Sequence, residues 1–103
     1  GKVLDLPSAP TLSDGTAGGL EPESLTFAPC RDLVDEWALL SEDEIRSGLR
    51  FLLEKHYLMV EGAAALSVAA LRREARRWAE KSVVLVLCGR KLGLETLRGL
   101  IKE

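Results

Sequence analysis

Val83-Val84-Leu85-Val86-Leu87, running directly into Cys88-Gly89, is the stretch on which the fold reading turns. Five consecutive β-branched and leucine side chains, without the polar alternation of a half-exposed strand, predict a central and parallel β-strand. Burying each large side chain there contributes on the order of 1.5–3 kcal/mol, so a charge anywhere in the run is expected to unfold the domain. Working outward, Leu94, Leu97, Leu100 and Ile101 predict a closing helix from about Leu94. Upstream, residues 72–81 are highly charged and lead away from Glu61-Gly62-Ala63-Ala64-Ala65-Leu66-Ser67-Val68-Ala69-Ala70-Leu71. That segment is apolar nearly all round and small in side chain, the pattern of a helix approached closely on several sides.

Ser41 and Glu44 have the spacing of a capping box, so another helix is predicted to start there, with Ile45, Leu49, Leu52 and Leu53 on one stripe. Trp37-Ala38-Leu39-Leu40 reads as a short strand. Leu25, Phe27, Cys30, Leu33 and Val34 recur at three- and four-residue spacings, which suggests a short helix with Pro29 near its first turn. Residues 3–6 read as an edge strand ended by Pro7 and Pro10. Strand, helix, strand, helix, helix, strand, helix is the order of an α/β layer protein, with a partial parallel sheet and flanking helices. All four prolines and Gly15, Gly18 and Gly19 lie in the first thirty positions. The chain is therefore read as one unit, with a Pro/Gly-rich loop and edge region over residues 1–30 and an α/β core over 31–103.

Composition narrows the function. The chain has 103 residues, 47% hydrophobic and 29% charged, and a formal net charge of -2, which is the profile of an ordinary globular domain. No window approaches the roughly 20 apolar residues of a bilayer crossing, and no basic stretch precedes an apolar run at the start, which argues against membrane and secretory proteins. Fourteen basic residues against sixteen acidic ones give nucleic acid no general attraction. One histidine and two cysteines are too few for a closed structural zinc site. Cys30 and Cys88 are expected as reduced thiols in a cytoplasmic protein.

Ligands of an α/β sheet gather beyond the carboxyl ends of its strands, so Cys88-Gly89-Arg90-Lys91-Leu92-Gly93 is the first place to look for chemistry. The spacing of Gly89 and Gly93 rules out a P-loop, Leu94 stands where a phosphatase thiolate loop needs arginine, and Lys91 occupies the second cysteine position of a Cys-x-x-Cys motif. Cys88 is then either a nucleophile assisted by Arg90 and Lys91 or a small residue ending a strand. His56 reads as a helix-terminal or surface residue. The basic run Arg72, Arg73, Arg76, Arg77 and Lys81 is interrupted by Glu74 and Glu80 and reads as a solvated helix face. Ser13-Asp14-Gly15-Thr16-Ala17-Gly18-Gly19 is a flexible stretch, by composition a loop, that is also able to line a ligand site. Glu61 is a site candidate on physical grounds: a carboxylate at the head of a buried helix needs partners or the favourable field of the helix N-terminus.

Residues 60–71, then residues 83–89, preceded by Thr11-Leu12-Ser13-Asp14-Gly15, together resemble the C-terminal part of the serine/threonine dehydratase family. These are pyridoxal-phosphate (PLP) enzymes of the tryptophan-synthase-β-like fold. The resemblance implies that Cys88 occupies the position of the Ser or Cys that hydrogen-bonds the cofactor's pyridine nitrogen. A thiol is too weak an acid to protonate that nitrogen as a carboxylic acid can, which suits β-elimination. It also implies that Gly89 and Glu61 border the cofactor and that Ser13, Asp14 and Gly15 belong to a loop beside the substrate. The family continues Gly-Gly-Asn where this chain has Gly89-Arg90-Lys91. Neither the family's Schiff-base lysine segment nor its glycine-rich phosphate loop is matched by any segment here. The expectation is a piece of a PLP-dependent ammonia-lyase, cut at Gly1, inactive alone and binding no PLP alone. Its partner would be the rest of the catalytic domain or a homologous subunit. Two other readings are a noncatalytic module associating through exposed sheet edges or helix faces, and a Cys88-dependent enzyme.

Overall fold

The computed structural model describes residues 3–102. Its regular elements are a 3₁₀ turn at Asp14–Thr16 and four helices: α1 (Phe27–Leu33), α2 (Glu42–His56), α3 (Gly62–Arg73) and α4 (Leu94–Lys102). The helix readings hold. Pro29 is the third residue of α1, where its missing N–H costs no intrahelical bond. At the start of α2, Ser41 Oγ accepts from the Glu44 N–H while the Glu44 carboxylate accepts from the Ser41 N–H at 2.7 Å, so the capping box is complete. Those bonds hold the Glu44 carboxyl below its ordinary range, the Ser41 backbone N–H being the main cause. α2 stops where Tyr57 turns left-handed at φ 55° and its N–H returns to the Leu52 carbonyl.

The core is the seam between α2 and α3. Ile45, Leu49 and Leu52 of α2 are buried against Ala64, Ala65 and Val68 of α3, with Val60 and with Leu100 of α4 closing the ends. No residue from Gly62 to Leu71 is exposed, as expected of a helix built from small side chains. The approach is close: a Cβ on Gly48 would lie 3.0 Å from the Ala65 carbonyl oxygen and 3.3 Å from Ala69 Cβ.

The expected sheet does not form. Among the described residues there is no strand, and the runs at 3–6, 37–40 and 83–87 are irregular in hydrogen bonding. A strand is defined by the ladder it makes with a neighbour, so β-branched composition alone cannot create one. The run 83–87 lies along α3 instead, where Ser67 Oγ–H donates to the Val86 carbonyl at 3.2 Å. Only Leu85 of the five turns toward the core; Val84 is 90% exposed and Val86 69%. The expectation that a charge anywhere in this run unfolds the domain therefore fails at Val84.

The basic run is also more engaged than its composition suggests. Arg73 Nη1 donates to the Leu39 carbonyl at 2.7 Å, and Arg77 pairs with Glu36 and with Glu74, tying residues 36–39 to the end of α3 and to the turns that follow it, where Arg76, Arg77 and Lys81 lie beyond the helix. Hydrogen bonding from Glu36, then from Glu74, raises the Arg77 pKa further. Arg72 lies over the Phe51 ring at 4.2 Å.

The molecule is flat, 40 × 37 × 19 Å, with a Cα radius of gyration of 15.0 Å. A compact chain of this length would have about 13 Å. Its accessible surface is 8270 Å², against about 5,700 Å² for an ordinary folded monomer of the same mass.

Candidate functional site

The first residues of α3 gather two loops. Glu61 is the N-cap of α3, and its carbonyl accepts from the N–H groups of Ala64 and Ala65, both at 3.1 Å. Its carboxylate makes no capping hydrogen bond, so it is not spent on finishing the helix. The Glu61 N–H donates to the Gly89 carbonyl at 3.2 Å, which fixes the residue after Cys88 against the helix start. The Glu61 carboxylate occupies the space that a Cβ on Gly89 would need, so glycine is the residue that permits this contact.

From the other side comes the loop at residues 11–16. The Leu12 carbonyl and the Ser13 N–H pass so close to Gly62 that a Cβ there would overlap them. Gly15 comes next, where a Cβ would stand 3.3 Å from Ala63 Cβ and 3.6 Å from Glu61 Oε1. The result is an open pocket of about 490 Å³ lined by Asp14, Gly15, Glu61, Lys91, Leu92 and Gly93. Two carboxylates and one ammonium face it at the N-terminal end of a twelve-residue helix, where the helix field favours the acidic groups.

Of the residues read from the sequence, Asp14, Gly15, Glu61 and Gly89 are brought together. Ser13 belongs to the same loop but is 2% exposed, and its hydroxyl bonds Thr16 Oγ1 at 2.6 Å; it braces the loop rather than facing the pocket. Cys88 is a free, exposed thiol next to Gly89, at the edge of this group. Cys30 is likewise free and exposed, on α1, and His56 sits in the last turn of α2 with its ring edge-on to Phe51. Among the described residues no group of His, Cys, Asp and Glu is placed to hold a metal ion, and no helix is long and apolar enough to cross a membrane.

Three participants are not legible in the sequence. Gly62 carries no local signal, because its role is a contact with residues some fifty positions away. Lys91 is read there as a neighbour that could assist Cys88 and as a departure from the dehydratase pattern, not as a pocket wall shared with Asp14 and Glu61. Glu42 reads as part of a helix start, yet both of its carboxylate oxygens are taken by the 11–16 loop.

The family model described as pyridoxal-phosphate dependent enzyme matches residues 1–89. The chain belongs to this PLP-dependent enzyme family. The match includes Glu61, Cys88 and Gly89 and stops immediately before Arg90-Lys91, where the chain leaves the Gly-Gly-Asn pattern. Relatives within the PLP-dependent family include an L-threonine ammonia-lyase of Geobacter sulfurreducens, 39% identical over all 103 residues, and one of Thermotoga maritima, 33% identical over 108 aligned positions. The catabolic L-threonine dehydratase TdcB of Escherichia coli K12 is 39% identical over 71 residues, covering 69% of this chain. The chain spans about a quarter of the length of these relatives: 25% of the first, 26% of the second and 21% of the third.

Proposed function

We propose that this chain supplies one wall of the cofactor site of a PLP-dependent ammonia-lyase that converts a β-hydroxy amino acid to a 2-oxo acid and ammonia. Cys88 is assigned to the cofactor's pyridine nitrogen, with Gly89 and Glu61 beside it and Asp14 and Gly15 bordering the substrate on a loop that the buried Ser13 braces. The observation that carries the reading is the convergence on the start of α3 of residues 13–15 and of Gly89, next to Cys88, which the dehydratase resemblance assigns to the active site. Relatives named as L-threonine ammonia-lyases support the substrate class.

The residues present fit the pyridine end of the cofactor. A thiol offers a weak S–H donor and no strong acid, and Gly89, next in the chain, leaves room for the Glu61 carboxylate. PLP, when bound, supplies the electron-withdrawing ring that makes the α-proton and the β-hydroxyl of an amino acid able to leave. Cys88 Sγ would hold the ring nitrogen by a hydrogen bond, and as a weak acid it would not pass on a full proton. The loop at residues 11–16, braced by Ser13, closes one side of the pocket, and Glu61 keeps a carboxylate against it. Lys2, Lys55, Lys81, Lys91 and Lys102 lie in no context that matches the family's Schiff-base segment, so none of them is assigned that role.

The test is a graft. Residues 1–103 replace the matched quarter of the Geobacter L-threonine ammonia-lyase, and 2-oxo acid formation from L-threonine is followed. The graft is expected to be active, and Cys88→Ala within it to lower kcat by about tenfold or more, the loss of a hydrogen bond to the reacting system. The chain alone is expected to form no 2-oxo acid. A well-folded, cofactor-loaded graft whose kcat is indifferent to Cys88→Ala would remove Cys88 from the site.

A second reading, a noncatalytic module that pairs with a homologous subunit or with the rest of a PLP domain, is favoured by one observation. The chain exposes about 2,500 Å² more than a compact monomer of its mass, including Trp37, Leu39, Val84 and Val86. That excess lies on one chain alone and is about three times the roughly 800 Å² that each partner buries in a standard interface. Light scattering after size exclusion should give a mass that rises with concentration; a constant monomer mass up to high concentration counts against the pairing.

A further inference from the structure

Glu42 is the first residue of α2, yet its carboxylate is directed at the loop thirty positions upstream. Oε1 accepts from the Thr11 hydroxyl, and Oε2 accepts from the Leu12 N–H at 2.8 Å. The Thr11 hydroxyl in turn accepts from the Ser13 N–H at 3.1 Å, so hydrogen bonds run from Glu42 through Thr11 to Ser13. On the opposite side the backbone of Leu12 and Ser13 is pressed against Gly62. The loop is thus gripped between the starts of α2 and α3. Immediately beyond the grip lies the part of the loop that lines the pocket. The Ser13 carbonyl accepts from the Thr16 N–H at 2.9 Å to close the 3₁₀ turn, and that turn presents Asp14 and Gly15 to Glu61.

We infer that Glu42 is a positioning residue of the pocket, setting through Thr11 and Leu12 where Asp14 and Gly15 stand relative to Glu61. The inference rests on the proposed ammonia-lyase function only for what the pocket is used for; the grip itself is independent of it. An acidic residue in the first turn of a helix is ordinarily accounted for by the helix field, and Glu42, Asp43 and Glu44 are all acidic there. Glu42 differs in that both its oxygens are engaged outside the helix. Its carboxyl is held below the usual carboxylate range chiefly by the Leu12 N–H, then by the Thr11 hydroxyl, and less by the charge of Arg46. Removing Glu42 should therefore loosen the loop and leave α2 in place, because the capping box of Ser41 and Glu44 is intact without it.

The experiment is amide hydrogen exchange and chemical shift by NMR on the full chain, with Glu42→Ala, Glu42→Gln and Thr11→Val. Glu42→Ala is expected to speed exchange at Leu12 and Ser13 by about tenfold, the loss of charge-assisted bonds at an exposed site, and to move the Gly15 and Glu61 amide signals. Glu42→Gln, which keeps one acceptor oxygen, should fall between Glu42→Ala and the parent. Thr11→Val should release Ser13 more than Leu12. Exchange within α2, from Ile45 to Leu52, should match the parent in all three. Unchanged exchange at Leu12 and Ser13, unmoved Gly15 and Glu61 signals, or a loss spread along α2 would each overturn the inference. No cofactor or substrate enters this measurement. Failure of the Cys88 graft with a normal loop response rejects the cofactor reading alone, and the reverse result rejects the positioning role alone.

Discussion

Ala65→Glu abolishes the fold: far-UV circular dichroism at 25 °C should lose its helical signal, and no cooperative melt should remain. Ala64 and Ala65 are both fully buried, and the facing helix comes so near that a methyl group on Gly48 would already press on the Ala65 carbonyl. A carboxylate there has no room and no partner. An unpaired buried charge costs several kcal/mol even after relaxation, while native stability is only about 5–15 kcal/mol in ordinary domains. The small core of this chain places it toward the low end of that range. The matched control is Val84→Glu. That side chain is 90% exposed, so its midpoint should stay near the parent's, within about 0.5 kcal/mol. A folded Ala65→Glu protein would mean that α2 and α3 can separate without loss of the core, contrary to the tight seam between them.

Gly62→Ala should carry the second largest effect, and its sign is set by two opposing contributions. Alanine improves helix propensity over glycine by up to about 1 kcal/mol, less at the first turn than in a helix interior. Against this, the added methyl would overlap the backbone of Leu12 and Ser13, which cannot rotate away as a side-chain tip could. Forced displacement in a packed region costs about 1–3 kcal/mol, so the net result is destabilisation, visible as a lower thermal midpoint. The site is affected more than the core. The loop moves off α3, Asp14 and Gly15 part from Glu61, and in the Geobacter graft KM for L-threonine should rise before kcat falls. Gly89→Ala differs: the atoms nearest the new methyl are the tip of the Glu61 side chain, which can swing aside. A midpoint for Gly62→Ala equal to or above the parent's would show that propensity outweighs the contact.

The contrast between Ser41 and Val84 shows what sequence can carry. Ser41 and Glu44 satisfy each other within one helical turn, so their spacing is sufficient to place the start of α2. The burial of α3 is legible for a similar reason, since a run of alanines has no polar face to turn outward. Val84 and its neighbours describe a residue type suited to a pleated surface, but the ladder depends on another segment, and among the described residues none pairs with them. The site divides the same way. Glu61 is visible as a costly carboxylate, and the loop at 13–15 and Cys88-Gly89 through their resemblance to the dehydratases. The grip of Glu42 on Thr11 and Leu12, and the approach of Leu12 to Gly62, join positions thirty to fifty residues apart. No local pattern encodes contacts of that range.

The breadth of the exposed surface bears on cooperativity. By mass, the unfolded chain would expose about 16,000 Å². Folding to 8270 Å² therefore hides only about half of it, where a domain of this length usually hides nearer two thirds. The sensitivity of folding to denaturant scales with the area released, so this chain has less leverage for an all-or-none transition. α2 and α3 form the unit that must open together. The segments spread around them, α1 and residues 83–87 among them, are free to loosen first and separately.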